Sequence, residues 1–311
     1  MAKIIGPGSL IVDVTGFAPH LPRAGETVKG STLRFGAGGK GSNQMTAAHR
    51  AGAEAKLIGC MGDDFLSGIM RAHYEADGIS MQYIKTDPDE ETGSALIEID
   101  ETDAQNRIIV ILGASETVGR EEVFAAEKDF ADCDAVLTQF ETTPEAVLAS
   151  KELAKKYNKP FILNPAPYVE MPCGTYDGVD YITPNESEAE ALTGVKVESI
   201  EDCRAAAARL MESGVKNVII TLGSKGAYFC NDDKEITVSA IKLRAVETTG
   251  AGDAFNGGFA CAVAEGMPME TALKFATCTA AISVTRLGSG PSMPKRAEIA
   301  ELMKKEYNII I

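Results

Sequence analysis

The sequence predicts an α/β protein with a mostly parallel central sheet flanked by helices and a small β-sheet lid. Short apolar runs alternate with segments of helical periodicity over most of the 311 residues, as expected for strands joined by crossover helices. Several helical segments end at or just before Gly52, Gly78 or Gly214, and glycine is the residue that best adopts the left-handed conformation of a helix stop. Two stretches contain strands without intervening helices, and these predict the lid.

The elements follow this order along the chain. The central strands are predicted at 3–5 (within a strand-like segment 3–12), 56–60, 135–139, 161–164, 181–183 and 217–222. Helices are predicted at 42–51, 64–76, 121–130, 144–157, 200–212, 251–264, 270–285 and 294–306. Lid strands are predicted at 28–35, 94–99 and 107–112. We therefore expect a single domain, residues 1–311, with a lid inserted from about 13–37 and 93–113.

Composition narrows the class of protein. Lys and Arg total 30 against 45 for Asp and Glu, a net charge of -15, which argues against nucleic acid as a partner because that affinity depends on neutralising phosphates. The seven cysteines are scattered and form no CxxC pair, a pattern typical of free thiols in a reducing cytosol. The sequence begins without a signal-peptide pattern, and no apolar stretch approaches the ~18 residues of a membrane span. We expect a cytoplasmic protein with no membrane partner.

The first glycine-rich segment, 36–41, satisfies the GxGxxG pattern of dinucleotide-binding folds. It follows lid-like strands rather than the first strand of a βαβ unit, which argues against a nicotinamide-dependent oxidoreductase. Gly41 follows Lys40 where a P-loop requires Ser or Thr. One interpretation of this segment is a flexible turn before a helix. Lys40 and Asn43 favour instead a site where a polar ligand approaches the backbone.

The second glycine-rich segment places Gly250, Ala251 and Gly252 at the start of a predicted helix. Backbone N–H groups and the positive helix end converge there, an arrangement suited to phosphate. Asp253 follows in the first helical turn, where its carboxylate could take a proton from a hydroxyl group. The alternative is an acidic residue that only stabilises the helix dipole.

The third glycine-rich segment, 221–226, lies at the end of a predicted strand, where ligands of parallel sheets bind. Asn185 and Glu188 also follow a strand and are spaced so that a helical turn would put them on one face. Magnesium, a hard cation that usually keeps several waters, would fit beside them. The alternative for Glu188 is a solvated face of a Glu-rich helix.

Motifs from the whole chain carry a resemblance to a known family. They are Gly8-Ser9 with Asp13, Pro22 with Gly25-Glu26-Thr27, Gly38-Gly39-Lys40-Gly41-Ser42-Asn43-Gln44, Gly62-Asp63-Asp64, Gln139-Phe140-Glu141, Asn164-Pro165-Ala166-Pro167, Thr183-Pro184-Asn185-Glu186, Thr221-Leu222-Gly223-Ser224, Gly250-Ala251-Gly252-Asp253, and Val284-Thr285-Arg286 with Gly288 and Pro291-Ser292. By these motifs and their order, the chain resembles the ribokinase-like (PfkB) family of sugar kinases. Within that family it resembles the ribokinases most.

The resemblance implies an ATP-dependent transfer of phosphate to a sugar hydroxyl, with magnesium, a monovalent cation such as potassium, and a homodimer formed through the lid. It implies Asp253 as the base, with Gly250, Ala251 and Gly252 holding the charge of the phosphate. Sugar-binding positions match Asp13, Gly38, Gly39, Lys40, Asn43, Glu141 and Asp253. ATP-binding positions match Asn185, Thr221, Leu222, Gly223, Ser224, Gly226, Gly250, Gly252 and Thr277. Glu188 matches a magnesium position that acts through water, and the monovalent-cation loop matches Glu247, Thr249, Ser283, Arg286, Gly288 and Ser292.

Two departures from the family pattern affect these expectations. Glu247 stands where ribokinases usually have Asp, and Ile11 stands where they have an Asn that helps to hold ribose hydroxyls. A site built for a hydroxyl loses discrimination when its polar partner is missing. Ribose is therefore not the only candidate substrate: fructose, a deoxy-sugar, a sugar acid and a nucleoside are alternatives within the family. A sugar-sensing relative without activity would have lost Asp253 or its glycine turn, and both are intact.

Overall fold

The computed structural model describes residues 1–102 and 105–311 and confirms a central, mostly parallel sheet flanked by helices. In this part of the chain the strands are β1 (Lys3–Pro7), β2 (Ile11–Ala18), β3 (Thr32–Gly38), β4 (Glu54–Gly62), β5 (Ile84–Asp87), β6 (Gly93–Asp100), β7 (Asn106–Ile111), β8 (Ala135–Gln139), β9 (Phe161–Asn164), β10 (Tyr181–Ile182), β11 (Asn217–Thr221), β12 (Gly226–Cys230) and β13 (Glu235–Ser239). The helices are α1 (Lys40–Arg50), α2 (Phe65–Asp77), α3 (Arg120–Ala125), α4 (Glu127–Asp132), α5 (Pro144–Lys156), α6 (Glu186–Thr193), α7 (Ile200–Glu212), α8 (Ala251–Ala264), α9 (Met269–Ser283) and α10 (Arg296–Tyr307), with 3₁₀ turns at Gly113–Thr117 and Gly223–Lys225.

The larger sheet has nine strands in the order β13-β12-β11-β10-β9-β8-β1-β4-β5. Neighbouring strands from β5 to β11 are parallel, whereas β12 and β13 form an antiparallel edge. The carboxyl ends of the parallel strands therefore lie along one edge of the sheet. The segments that follow β1, β8, β9, β10 and β11 meet at that edge, which is where α/β sheets bind ligands.

The smaller sheet has four strands in the order β3-β2-β6-β7. Strand β2 is antiparallel to β3 and parallel to β6, and β6 is antiparallel to β7. In this register Asp13 lies beside Gly36 and Ala95, and Ile11 beside Gly38 and Gly93. Because successive side chains of a strand alternate between faces, Ile11 and Asp13 share one face of the small sheet.

Helices cover both faces of the large sheet because its strands are apolar on both sides. Ile4 of β1 packs into a core formed mainly with α1, α8, α9 and α10. The next residue, Ile5, points to the opposite core, formed mainly with α3, α5 and α7. No helix of the described residues combines the length and apolarity needed to cross a membrane.

Helices α1 and α8 cross closely because Gly257 of α8 has no side chain. A Cβ atom added at Gly257 would lie 2.4 Å from the carbonyl oxygen of Gln44 and 2.5 Å from the Cβ of Ala47. This close approach brings the first half of α1 against the start of α8. It is the packing feature that places polar side chains from both helices in one buried cluster.

Several predicted boundaries were wrong. The strand-like segment 3–12 is divided between β1 and β2, which belong to different sheets, because the chain leaves the large sheet after Pro7. In the predicted lid strand 28–35, residues 28–31 are not in a strand, and β3 begins at Thr32. The predicted helix 121–130 is two helices, since Ala126 adopts φ -95° and ψ 6° between α3 and α4.

The sequence analysis also missed β5, the helix α6 and the hairpin of β12 and β13. The hairpin follows directly on the glycine-rich turn 223–226, so the apolar run after that turn had been left unassigned. Its own turn is closed by Asn231, whose Oδ1 accepts hydrogen bonds from the N–H groups of Asp233 and Lys234. An Asn-Asp-Asp sequence between two short runs was the available turn signal.

We expect Gly257→Ala to destabilise the fold, because the added methyl group must push α1 away from α8. Overpacking of this kind costs about 1–3 kcal/mol. The measurement is the free energy of unfolding from urea titration. The matched control is Gly68→Ala in α2, where an added Cβ meets nothing within 4 Å and where alanine should stabilise the helix by about 1 kcal/mol. Equal stabilities of the two variants would contradict the packing role of Gly257.

Candidate active site

Asp253 lies at the centre of the buried polar cluster between α1 and α8. It occupies the first turn of α8 and is 7% exposed. The Nδ2 of Asn43 donates to its Oδ2 at 2.9 Å, and the Nε2 of Gln44 donates to its Oδ1 at 3.0 Å. Both carboxylate oxygens are therefore held by amides of α1, so that the orientation of the carboxylate is fixed.

The pKa of Asp253 is raised above its ordinary value, chiefly because burial penalises the charged form. The positive charge of Lys40 and the amides of Asn43 and Gln44 act in the opposite direction, while Glu141 adds to the increase. A buried carboxylate with a raised pKa is a better proton acceptor than an exposed one. The environment of Asp253 is therefore suited to a general base.

The glycine turn that precedes Asp253 leaves space for an anion. Gly250 has a φ of 79° and forms the N-cap of α8, a helix of 14 residues. A Cβ placed on Gly252 would meet nothing within 4 Å, so the backbone there is accessible. The first N–H groups of a helix have no partner inside the helix. An anion at this point would meet the N–H groups of Gly250 and Gly252 and the positive end of the helix dipole, while the N–H of Ala251 donates to the carbonyl of Thr248 at 3.2 Å.

Glu141 follows β8, is buried, and forms an ion pair with the half-buried Lys40. Its Oε2 accepts hydrogen bonds from Ser9 Oγ at 2.7 Å and from the backbone N–H of Lys40 at 2.8 Å. Its Oε1 lies 3.1 Å from Lys40 Nζ. Burial lowers the pKa of Lys40, but the charges of Glu141 and Asp253 outweigh it and raise the pKa overall. Lys40 therefore stays protonated beside the site.

Asp13 of β2 approaches the cluster from the small sheet. Its Oδ2 accepts a hydrogen bond of 2.6 Å from Ser289 Oγ. Its carboxylate lies against Gly38, where a Cβ would be only 2.5 Å from Oδ1. Burial raises the pKa of Asp13 to about 6, and the Ser289 hydrogen bond limits the increase. The glycine at position 38 is thus explained by the space that Asp13 needs.

A network of amides and hydroxyls connects the cluster to the ends of strands β9 and β10. Gln44 Nε2 donates to Asn164 Oδ1 at 2.9 Å, and Asn164 Nδ2 donates to the carbonyl of Thr183 at 3.0 Å. Thr183 Oγ1 donates to Asn256 Oδ1 at 2.5 Å, and Asn256 Nδ2 donates to the carbonyl of Gly252 at 2.9 Å. These bonds tie the strand ends to the glycine turn.

Sequence reasoning assigned no role to the supporting residues Ser9, Gln44, Asn164, Thr183, Asn256 and Ser289. Gln44, Asn164 and Thr183 lie inside motifs that carried the family resemblance, and that was the available signal. Asn256 lies three residues after Asp253 on a helix that is otherwise small and apolar. A polar residue at a buried helical position needs a partner, which is the signal that could have indicated Asn256.

Two buried acceptors in the cluster, Asn43 Oδ1 and Gln44 Oε1, lack a partner among the described residues. Among the described residues nothing donates to Asn43 Oδ1, although the side chain is buried. Buried polar atoms are rarely left unpaired in native proteins. Asn43 Oδ1 is therefore available to a hydroxyl group of a ligand.

The predicted nucleotide residues gather at the ends of β10 and β11. Asn185 and Thr221 form an isolated parallel bridge, and the N–H of Thr221 donates to the carbonyl of Pro184 at 2.9 Å. Gly223 and Ser224 lie in an exposed 3₁₀ turn. Thr277 is buried in α9, and its hydroxyl donates to the carbonyl of Leu273 in the same helix. The described hydrogen bonds do not join Thr277 to the other candidates.

Asn185 and Glu188 form a capping box at the start of α6. The N–H of Glu188 donates to Asn185 Oδ1, and the N–H of Asn185 donates to Glu188 Oε2, both at 2.9 Å. Burial raises the pKa of Glu188, whose carboxylate also interacts with the charges of Lys40 and Asp253. The spacing that had suggested a magnesium site thus has a structural explanation, while the carboxylate still lies within electrostatic range of the cluster.

The predicted cation loop is formed by two segments joined through Glu247. Its Oε2 accepts from the N–H of Gly288 at 2.8 Å, and its N–H donates to the carbonyl of Val284 at 3.2 Å. Ser283 and Ser292 are buried, with their hydroxyls on backbone carbonyls. The side chain of Arg286 is instead paired with Glu298 of α10. Among the described residues no group of three or more His, Cys, Asp or Glu could hold a metal ion.

The glycine segment 36–41 has no features of a dinucleotide site. It joins β3 of the small sheet to α1, rather than a strand of the large sheet to its crossover helix. A Cβ at Gly41 would lie 2.5 Å from the backbone nitrogen of Ser9, so this glycine serves a close crossing of two chain segments. The structure therefore gives no support to the nicotinamide alternative.

Comparison with known proteins agrees with this geometry. Residues 1–296 match the model of the pfkB family carbohydrate kinases. The ribokinase of Haemophilus influenzae is 36% identical over 297 residues, which are 96% of this chain and 97% of that protein. The deoxyribokinase of Salmonella typhi is 34% identical over 297 residues, which are 95% of this chain and 97% of that protein. The ribokinase of Arabidopsis thaliana, solved with ribose and ATP, is 30% identical with a TM-score of 0.87 over 98% and 99%.

The family match spans nearly the whole chain, and the relatives are matched over nearly their whole length. The buried carboxylate, the glycine turn before it and the polar strand ends are thus found in a chain whose sequence and fold agree with the same group of enzymes. The chain belongs to the PfkB family of carbohydrate kinases, ATP-dependent phosphotransferases with an alcohol group as acceptor.

Proposed function

We propose that the chain transfers the γ-phosphate of ATP to a hydroxyl group of ribose or a related sugar. The observation that carries this proposal is the position of Asp253. Its carboxylate lies directly after the accessible glycine turn of α8 and is held by Asn43, which also presents an unpaired acceptor. A base, an anion site and polar groups for a sugar are thereby combined in one cluster.

The proposed mechanism uses Asp253 as the general base. Its carboxylate takes the proton of the sugar hydroxyl while the oxygen attacks the γ-phosphorus and ADP leaves with the electrons of the broken P–O bond. The N–H groups at Gly250, Ala251 and Gly252 stabilise the negative charge on the moving phosphoryl group. The amides of Asn43 and Gln44 keep the carboxylate in position.

The sugar would bind between the small sheet and α1. Asp13, Asn43 and Glu141 supply acceptors, and Lys40 supplies a donor that remains charged beside Glu141. The backbone at Gly38 and Gly39 allows the ligand to approach closely. Lys40 neutralises the charge of Glu141. A neutral sugar can therefore bind without having to compensate the charge of all the acidic groups in the cluster.

The nucleotide would lie along the strand ends at Asn185 and Thr221–Gly226 and reach α9 near Thr277. Glu188 is the carboxylate that would hold magnesium through water, because it is half-buried, interacts with the charges of Lys40 and Asp253, and carries oxygen ligands of the kind magnesium prefers. Magnesium bound to ATP neutralises part of the phosphate charge.

The loop of Glu247, Thr249, Ser283, Arg286, Gly288 and Ser292 would hold a monovalent cation such as potassium. The two segments of this loop are already joined by Glu247, and they offer backbone carbonyl oxygens, the ligands that suit potassium. Arg286 would contribute its carbonyl, since its side chain is paired with Glu298.

We further propose that residues 1–311 form one domain in which the small sheet (β2, β3, β6 and β7) acts as a lid and joins two chains in a homodimer. The lid exposes several large apolar side chains, including Leu33, Leu96, Ile108 and Ile109. Clustered apolar exposure is typical of interaction surfaces. A cytoplasmic location agrees with the seven cysteines, all of which are free.

The dimer proposal predicts a particle of twice 32.9 kDa in analytical ultracentrifugation. Ile109→Asp should shift it towards a single chain, because a charge would be buried in the apolar interface. The control is Ile310→Asp, which alters a more exposed isoleucine outside the lid and should leave the mass unchanged. A wild-type chain that sediments at 32.9 kDa would contradict the proposal.

The function is tested with a panel of ribose, 2-deoxyribose, fructose, sugar acids and nucleosides. ATP consumption by the purified protein is measured for each compound, with and without magnesium and potassium. We expect turnover with ribose or a deoxy-pentose, dependent on magnesium and increased by potassium. Binding of NAD without ATP turnover would overturn the kinase assignment, and a preference for nucleosides would overturn the sugar assignment.

Asp253→Asn should lower turnover by at least ~10²-fold, because the amide cannot accept the proton. ATP binding should change little, which a fluorescent-nucleotide titration would measure. The control is Asp202→Asn, a change of a partly exposed carboxylate in the capping box of α7. Near-normal turnover of Asp253→Asn would reject its role as the base.

Ile11→Asn tests which sugar the pocket fits. If the substrate has a hydroxyl near residue 11, the restored hydrogen bond should improve kcat/KM about fivefold. If the substrate has an apolar edge there, the buried amide should weaken substrate binding by roughly 1–3 kcal/mol. We expect a gain for ribose and a loss for a deoxy-pentose. Unchanged values on every sugar would show that residue 11 does not face the substrate.

A further inference from the structure

Asp13 offers its two carboxylate oxygens unequally. The hydroxyl of Ser289 donates to Oδ2 at 2.6 Å, whereas no described residue donates to Oδ1. The Ser289 side chain is 2% exposed, so water does not compete for this bond. One oxygen of the proposed sugar-binding carboxylate is therefore already occupied by the protein.

The backbone around Ser289 is fixed from several sides. The N–H of Gly288 donates to Glu247 Oε2 at 2.8 Å, and the N–H of Gly290 donates to the carbonyl of Ala37 at 3.1 Å. Ser292 Oγ donates to the carbonyl of Ser289 itself at 2.8 Å. These bonds hold the serine on the small sheet, so its hydroxyl is a permanent neighbour of Asp13.

Arg50 anchors the next part of the same segment. Its Nη1 donates to the carbonyls of Pro291 at 2.9 Å and Met293 at 2.8 Å. Its Nε and Nη2 both pair with Asp77 at 2.7 Å. A guanidinium held at both ends is rigid, and the loop that carries Ser289 cannot easily withdraw from Asp13.

The neighbour of Asp13 on the same face of β2 is apolar. Ile11 is 2% exposed and packs with Ala95 and Ile97 of β6. It adds no donor or acceptor beside the carboxylate. On this face of β2, Oδ1 of Asp13 is thus the carboxylate oxygen to which no described residue donates, while Oδ2 already uses one of its two lone pairs.

We propose that Ser289 is a specificity-determining residue, and that by occupying Oδ2 of Asp13 it favours a sugar that presents one hydroxyl to this carboxylate, a deoxy-pentose, over a sugar that presents a vicinal diol. A diol binds a carboxylate best when each hydroxyl has its own oxygen, and here the second hydroxyl must compete with Ser289. This inference rests on the proposed kinase function and names the substrate class of the same site.

The test is the ratio of kcat/KM for 2-deoxyribose to kcat/KM for ribose. Ser289→Ala frees Oδ2 and should shift this ratio towards ribose by about fivefold or more. The shift should lie in KM rather than kcat, and calorimetric binding of each sugar without ATP should change in the same direction. Ser289→Cys keeps the size of the side chain with a weaker donor and should shift the ratio less, in the same direction.

The matched control is Ser94→Ala, which removes a hydroxyl from the opposite face of the small sheet, where Ser94 lies beside Val12. Its ratio should equal that of the wild type. If the wild-type enzyme phosphorylates sugars and both Ser289 variants keep the wild-type ratio, the inference is overturned while the kinase function stands. If the wild-type enzyme phosphorylates no sugar, the proposed function is overturned, and this inference with it.

Discussion

The close crossing of α1 and α8 is the constraint on which the candidate site depends. Gly257 allows the helices to approach until Asn43 and Gln44 reach the carboxylate of Asp253. That carboxylate is buried and has a raised pKa. If the helices were further apart, water would enter, and the same carboxylate would be solvated and less basic. The close packing of α1 against α8 thus determines the chemistry of one acidic residue.

The cluster around Asp253 also shows what the site costs in stability. Asp13, Asp253 and Glu188 all have pKa values raised by burial, so their ionised forms are less favourable than in the unfolded chain. Lys40 offsets part of this repulsion. A ligand that supplies donors to Asp13 and cations that neutralise phosphate would offset more of it. The site is therefore expected to become more stable when it is filled.

The sequence was sufficient for the fold class and for the local motifs, because both rest on short-range patterns. Helix α8, its glycine turn and Asp253 are contiguous, and they were predicted together. The contact between Ser289 and Asp13 could not be predicted, since it joins residues 276 positions apart and depends on the docking of a loop. The pair of Asn185 and Glu188 shows that spacing alone does not assign a role, because a spacing typical of a ligand site is also that of a capping box.

In the proposed mechanism, sugar specificity is decided where the small sheet meets α1. Helix α8 carries Asp253 and the glycine turn, and the strand ends of the large sheet carry the proposed nucleotide residues; these are the parts that phosphoryl transfer would use. The small sheet supplies Ile11 and Asp13, and the loop after α9 adds Ser289. None of these residues donates a hydrogen bond to the carboxylate of Asp253, and only Asp13 interacts with it through its charge. The proposed catalytic centre could therefore serve different sugars, with Ile11, Asp13 and Ser289 deciding which pattern of hydroxyl groups is accepted.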